Sequence, residues 1–174
     1  MRIHNGKTRY ITITAMGIAL YVVLSMTAKI PLIGHISLDL GYIVLAIYCY
    51  HMGVGSGAIV DGAGCVIISM LTTGWFPTGW MIGNIVIAII CGAMYRRDGM
   101  NMSVVHNIVT SILAVAVGIL VLKTAIECAL YGIPLAVKIP KNAVAFVTDA
   151  IVMSIGCVLV QRGPIAGLCI EHIY

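Results

Sequence analysis

The chain has 174 residues, of which 61% are hydrophobic and 9% charged, with a mean hydropathy of +1.09 and a formal net charge of +4. Soluble domains are usually about 25% charged, so this composition excludes that class and assigns the chain to a bilayer. The positive charge forms no basic patch with interleaved aromatics, which sets nucleic-acid binding aside.

Spanning about 30 Å of hydrocarbon takes roughly 20 apolar residues per helix. Exposed strands cannot satisfy their backbone in lipid. The apolar runs therefore predict an all-α integral membrane protein, a compact single-domain bundle of six transmembrane helices over residues 10–28, 38–52, 54–72, 79–95, 104–131 and 140–161. The first is free of charge. The second is short, has Asp39 at its mouth, and is followed by a tight turn at Gly53 to Gly57. Asp61 lies in the third and Asn84 in the fourth, which ends at Arg96, Arg97 and Asp98. The fifth is long enough to tilt or protrude and carries Lys123 and Glu127 in its last third. The sixth carries Asp149 and stops at Gln161, Arg162, Gly163 and Pro164.

Lysine and arginine in the loops set the orientation. With the N-terminus cytoplasmic, the inner side collects Arg2, Lys7, Arg9, Arg96, Arg97 and Arg162, and the outer loops hold Lys29, Lys138 and Lys141. Both termini are thus expected in the cytoplasm. The first run exceeds the about 7–15-residue core of a signal peptide, and Met26 suits no A-x-A-like cleavage site before Lys29, so it is read as a helix. The six cysteines contain no C-x-x-C pair and read as small buried hydrophobes. His4, His35, His51, His106 and His172 form no ligand spacing, so no metal site is expected.

The stretch "LTTGWFPTGWMIGN" (71–84) falls in the outer loop between the third and fourth helices. Aromatic rings at that depth anchor many membrane proteins at the headgroups. Crowding sets this loop apart: Trp75, Phe76 and Trp80 cluster around Pro77, with Gly74 and Gly79 beside them, so the loop reads as stiff, folded back and able to cap a cavity. Asn84 follows Trp80 by one helical turn on the same face. Charges in the bilayer cost at least about 2.5 kcal/mol each and so face the protein interior or a watered site. Lys123 and Glu127, four apart, read either as a mutual ion pair or as pocket groups. Together with Lys138, Lys141 and Asn142 they place the polar groups in the outer half, where Asn84, Glu127 and Asn142 can converge. Asp61 and Asp149 lie deeper, as a hydrogen-bonded pair, a coupling-ion site or a catalytic dyad. Their contexts, "IVDGAG" and "FVTDAI", lack the Tyr-Asp and Gly-x-Gly-Asp motifs of intramembrane aspartyl proteases, and no nucleophile elbow is present.

In this order the segments resemble the substrate-binding S-components of energy-coupling factor (ECF) transporters, bacterial vitamin importers. "TAMGIALYVVLSM" is similar to the family's first helix with its Ala-x-x-x-Ala pair, Ala15 and Ala19. "HISLDLGYIVLAIYCYHMGVGSGAIVDGAGCVI" resembles the short second helix, glycine turn and glycine-rich third helix. "GWFPTGWMIGNIVIAIICGAMYRR" resembles the Phe-Pro-Gly segment and Gly-x-x-Tyr-Lys/Arg ending of several members, and "YGIPLAVKIPKNAVAFVTDAIV" their Gly-x-Pro loop and sixth helix. Val54 stands where a proline often follows, Asp61 stands where a small residue is expected, and Arg2 follows Met1 where a metal-specific relative would carry a ligating histidine.

The resemblance implies a non-catalytic subunit, without cofactor, in the bacterial cell membrane. It captures a small vitamin-like molecule outside and delivers it inward by toppling against a membrane coupling subunit energised by two cytoplasmic ATPases. No G-x-x-x-x-G-K-[ST] occurs for the chain to hydrolyse ATP itself. The expected ligand contacts are Trp75, Phe76, Trp80, Asn84, Lys123, Glu127, Lys141 and Asn142, and the face of Ala15 and Ala19 is expected to dock the coupling subunit. Glu127 is expected at the pocket and Asp149 in a structural role. Two readings from other classes stand beside this one: an autonomous carrier or channel with Asp61, Asp149 and Glu127 along an ion path, and a membrane enzyme using Asp61 and Asp149.

Overall fold

A computed structural model describes residues 3–27, 30–31, 37–98 and 103–162. Arg2, Lys29, His35, Gly163, Pro164, Cys169 and His172, which entered the sequence reading, lie outside the described residues. The chain runs α1 (Ile3–Thr27), β1 (Ile30–Pro31), β2 (Ser37–Leu38), α2 (Gly41–Thr72), α3 (Thr78–Asp98), α4 (Val104–Val115), a π-helical stretch (Ala116–Lys123), α5 (Thr124–Tyr131) and α6 (Leu135–Arg162). The two-residue strands pair antiparallel, Ile30 opposite Leu38 and Pro31 opposite Ser37. Among the described residues five helices, with α4 through α5 taken as one path, are long and apolar enough to cross a membrane.

The 32 residues of α2 do not form one rod. Gly53 has φ 77° and ψ −168°, a conformation essentially reserved for glycine. Beyond it the chain doubles back: a Cβ added at Gly57 would lie 3.6 Å from the backbone nitrogen of Cys49, eight residues earlier. An unbroken helix would separate those residues by about 12 Å. The reversal sits at Gly53 alone, with 54–57 already helical, where the sequence suggested a turn through Gly57. It leaves an arm of residues 41–52 and a longer arm of 54–72. At about 1.5 Å per residue the first arm is roughly 18 Å long, too short to cross a bilayer unaided.

That short arm is the centre of the molecule. Tyr42, Leu45, Ala46 and Cys49 pack with Ile87, Ala88 and Cys91 of α3, Ala114 and Val115 of α4, and Val152, Met153 and Cys157 of α6. On its other side Val44 joins Tyr21 of α1 and Val60, Cys65 and Ile68 of the longer arm. The helix face of α3 is cut away so that backbones can touch. A Cβ on Gly83 would meet the Gly118 carbonyl oxygen at 2.6 Å, and one on Gly118 would meet the Gly83 oxygen at the same distance. Close approach through small residues is how helices gain packing in lipid. Gly118 lies in the π stretch, which widens the helix by one residue per turn.

Helix ends differ from the sequence reading in places. Helix α1 begins at Ile3, because His4 to Arg9 can continue a helix into water. Helix α6 starts at Leu135, directly after Pro134, whose carbonyl accepts Val137 N at 3.0 Å and Lys138 N at 3.3 Å. Lys141 and Asn142 therefore sit in its second turn instead of opening it, with Pro140 inside the helix where only the first-turn carbonyls lose a donor.

Gly53→Ala should destabilise the detergent-solubilised protein by about 1–3 kcal/mol, read as a lower Tm, because alanine must occupy a glycine-only backbone region. Gly55→Ala is the control: its Cβ would lie 3.4 Å from the Tyr10 hydroxyl in ordinary helical backbone, and Tm should stay level or rise slightly.

Candidate functional site

Helix α3 begins just after Pro77, and its first full turn presents Trp80 and Asn84 to the same side. Asn84 is fully buried. Its Oδ1 accepts the Tyr42 hydroxyl at 2.9 Å, and its Nδ2 donates to Asp61 Oδ1 at 3.0 Å. Nδ2 also lies 3.1 Å from Cys65 Sγ and 3.4 Å from the Tyr21 hydroxyl. Two amide hydrogens thus serve three acceptors. The Cys65 thiol adds a 3.7 Å contact to Asp61 Oδ1, while Asp61 Oδ2, fully buried, has no hydrogen-bond partner among the described residues. The Tyr21 ring lies over Gly41 and Gly64. One amide therefore ties α1, both arms of α2 and α3 in an otherwise apolar body.

Two further carboxylates border this cluster. Asp39, ahead of α2, accepts Ser25 Oγ at 2.5 Å and the Gly41 amide at 2.8 Å, and its charge reaches Tyr21, Tyr42, Asp61 and Asp149. Asp149 of α6 is buried, takes Thr148 Oγ1 at 3.4 Å, and meets the Tyr42 hydroxyl. Lys123, at the end of the π stretch, is the cation that acts on Asp149 among the described residues. Trp80 packs against the apolar side of the same group, beside Tyr21 and Cys65.

The loop over residues 73–77 is pinned from below by Ser69. The Ser69 hydroxyl donates to Trp75 O at 2.7 Å, and Ser69 O accepts the amides of Thr73 at 2.8 Å and Gly74 at 3.1 Å. Pro77 O then accepts Met81 N at 2.8 Å and starts α3. Trp75 and Phe76 stand 78% and 49% exposed at the tip, away from the buried cluster that Trp80 joins.

The remaining residues expected at the site separate into two pairs and a solvated lysine. Glu127 Oε2 takes Lys138 Nζ at 2.6 Å, and its side chain lies against Gly79. Of the two readings of their four-residue spacing, a mutual Lys123–Glu127 ion pair does not form: Lys123 lies over Gly83, and Lys138, brought close by the early start of α6, takes the carboxylate. Asn142, buried, donates to Thr124 Oγ1 at 2.8 Å, and that hydroxyl donates to Ile119 O at 3.0 Å, five residues back in the π stretch. Lys141 is exposed. Tyr21, Tyr42 and Cys65 were missed because tyrosine and cysteine do not interrupt an apolar run. Their signal was spacing: Tyr21 and Ser25, and Asp61 and Cys65, are each four apart and share a helical face.

On α1, Thr14, Gly17, Tyr21 and Ser25 form the buried stripe, whereas Ala15 and Ala19 lie on the exposed side with Met16 and Leu20. The opposite end of the molecule is not featureless, as the sequence suggested. A cavity of about 370 Å³ opens at the Gly53 reversal between Tyr10, Tyr50, His51 and Met52. Deeper, the Tyr95 hydroxyl, Ser111 Oγ and Cys157 Sγ contact one another at 2.7–3.0 Å. Among the described residues no group of three His, Cys, Asp or Glu is arranged to hold a metal ion.

The described residues thus form a helical bundle with a buried polar cluster next to a short aromatic loop. Residues 5–170 match the family described as the ECF-type riboflavin transporter, S component, and the chain belongs to that family. Its fold is shared with the crystal structure of the S-component for biotin from an ECF-type ABC transporter: TM-score 0.71 over 93% of this chain and 94% of that one, at 17% identity. Two relatives named UPF0397 protein, from two strains of Streptococcus thermophilus, are 24% identical over 119 residues, 67% of this chain. That alignment spans 66% of those relatives' own length.

Replacing Asn84 by leucine strands the Tyr42 hydroxyl and Asp61 without their amide partner. The expected cost is about 2–3 kcal/mol, measured as a lower Tm in detergent, whereas Lys141→Ala should leave Tm unchanged.

Proposed function

We propose that the protein is the substrate-binding subunit of an ATP-driven ECF importer in a bacterial cell membrane, capturing a small water-soluble vitamin or related micronutrient from outside. In this reading the two arms of α2 are separate crossings, giving six in all, with both termini cytoplasmic. The buried polar cluster then lies in the outer half. The observation that carries the proposal is the joining of Trp80 and Asn84, one turn apart, to a hydrogen-bonded floor made by α1 and α2, in a chain of this family. Trp80 supplies an aromatic wall, and Asn84, Lys123, Glu127, Lys141 and Asn142 supply polar contacts. Trp75 and Phe76, exposed at the loop tip, close over the loaded ligand. Riboflavin is the substrate in the matched family's description and biotin that of the structural neighbour; ring stacking favours a heteroaromatic molecule over an aliphatic one.

The chain carries no ATP-binding motif, so uptake draws on partners: a membrane coupling subunit and two cytoplasmic ATPases. Ala15 and Ala19, small and outward-facing on α1, form the docking stripe, and the loaded subunit topples against the coupling subunit to release its ligand inward. A body that lies over in lipid must expose few charges, and the exposed faces of α1 and α6 are apolar, through Ile11, Leu20, Val23, Ile151 and Ile155.

Trp80→Ala should weaken binding of the co-purifying small molecule by about 1–3 kcal/mol if the ring stacks on it, followed by quenching of the remaining tryptophan. Unchanged affinity in both Trp80→Ala and Trp75→Ala would make the loop a bilayer anchor only. The double variant Ala15→Trp/Ala19→Trp should keep ligand binding by the isolated subunit but abolish co-purification with the coupling subunit and ATP-dependent uptake. Normal assembly and transport by that variant would remove α1 as the docking surface.

A further inference from the structure

Asp61 is the group the reading above leaves unused. A carboxylate inside a membrane bundle is retained only against a cost, and a purely structural member of the cluster could be an asparagine, which would keep the Asn84 amide bond to Oδ1 intact. The aspartate adds an oxygen, Oδ2, that is fully buried and without a partner among the described residues. No lysine or arginine contacts it there. Lys138 is taken by Glu127, Lys141 is exposed, and Lys123 acts on Asp149. Asp39 and Asp149 are the further acidic side chains bordering the same region, beside Tyr21 and Tyr42. The cluster therefore holds a buried acid with no cation against it among the described residues, next to the half-buried ring of Trp80.

We infer that Asp61 is the specificity-determining residue of the ligand site and that the ligand is a positively charged heteroaromatic molecule, whose N–H or cationic centre is taken by Asp61 Oδ2. This deepens the proposed function and rests on it. A flat cation suits both halves of the site: the Asp61 carboxylate compensates its charge, and the face of the half-buried Trp80 attracts it through the ring quadrupole. A neutral isoalloxazine such as riboflavin can donate its ring N–H to Oδ2 but brings no positive charge to the carboxylate, and an anion such as biotin sets a second negative charge against it. Trp80, half-buried beside Tyr21 and Cys65, covers the cluster on the α3 side, so loading moves that ring and its fluorescence reports on it.

The test titrates the full detergent-solubilised chain, freed of co-purifying molecules, with thiamine and 1-methylnicotinamide as permanent aromatic cations and with riboflavin and biotin as neutral and anionic probes. Tryptophan quenching is the signal. At least one cation should bind ten-fold or more tightly than riboflavin and biotin, and Asp61→Asn should lose at least ten-fold of that affinity while keeping the wild-type elution profile and Tm. Tighter binding of riboflavin or biotin than of both cations, binding of none of the four, or cation affinity unchanged within two-fold in Asp61→Asn overturns the inference. The wild-type selectivity decides the question even if Asp61→Asn fails to fold. The transport reading is judged separately, by whether vesicle uptake of the co-purifying molecule needs the coupling subunit and ATP; it can stand when the cation inference falls.

Discussion

The structure depends on a single buried amide. Asn84 accepts from Tyr42 and donates toward Asp61, Cys65 and Tyr21, so three segments of separate sequence origin close on one side chain. In water such bonds contribute modestly because solvent competes. In an apolar body no solvent replaces a lost partner, and the demand that buried polar groups be satisfied internally turns a weak attraction into a positional constraint. It fixes the rotation of α3 about its axis. With Asn84 facing α1 and α2, Gly83 is turned toward Gly118, and the polar contacts and the closest backbone approach are set by neighbouring residues of one helix.

The reversal at Gly53 makes that convergence possible. A straight 32-residue helix would carry Tyr42 and Asp61, nineteen positions apart, about 28 Å from each other. Folding the longer arm back brings both to Asn84. The short arm thereby becomes the inner element on which the packing is organised, packed on α3 and α6 on one side and joined to α1 on the other through the longer arm's residues. Shortness is tolerable because its neighbours, not lipid, surround it; Tyr42, Leu45, Ala46 and Cys49 are all buried.

The sequence revealed what the bilayer dictates and missed what local geometry decides. Apolar runs located the helices because hydrocarbon penalises every polar interruption, and the Trp80–Asn84 pairing was legible because four-residue spacing places two side chains on one helical face. The same rule misled at Lys123 and Glu127. Shared facing does not ensure pairing, and Lys138 competes because α6 begins five residues earlier than its charged opening suggested, Pro134 serving as the start. The π stretch has no hydropathy signature, since an extra residue per turn leaves composition unchanged. Tyr21 and Tyr42 escaped notice for a related reason: their rings belong in an apolar run, and only their hydroxyls disclose the cluster once the helices are assembled.

Helix α1 joins the two ends of the proposed mechanism. Its buried stripe, Thr14, Gly17, Tyr21 and Ser25, runs along the C-terminal half of the helix and meets the polar cluster at Tyr21 and the Asp39 carboxylate at Ser25. Its exposed side carries Ala15 and Ala19, one turn apart, at and just beyond the middle of the helix. A ligand that reorders the cluster acts on Tyr21, and Tyr21 is covalently part of the rod that presents the alanines. Because packed helices move as units and not by continuous deformation, a small rotation of α1 forced at Tyr21 would reposition the alanine stripe two to six residues away. Under the proposed function, occupancy of the outer cluster and fitness of the docking face are then two readings of one helix's orientation, and no longer relay through the bundle is required.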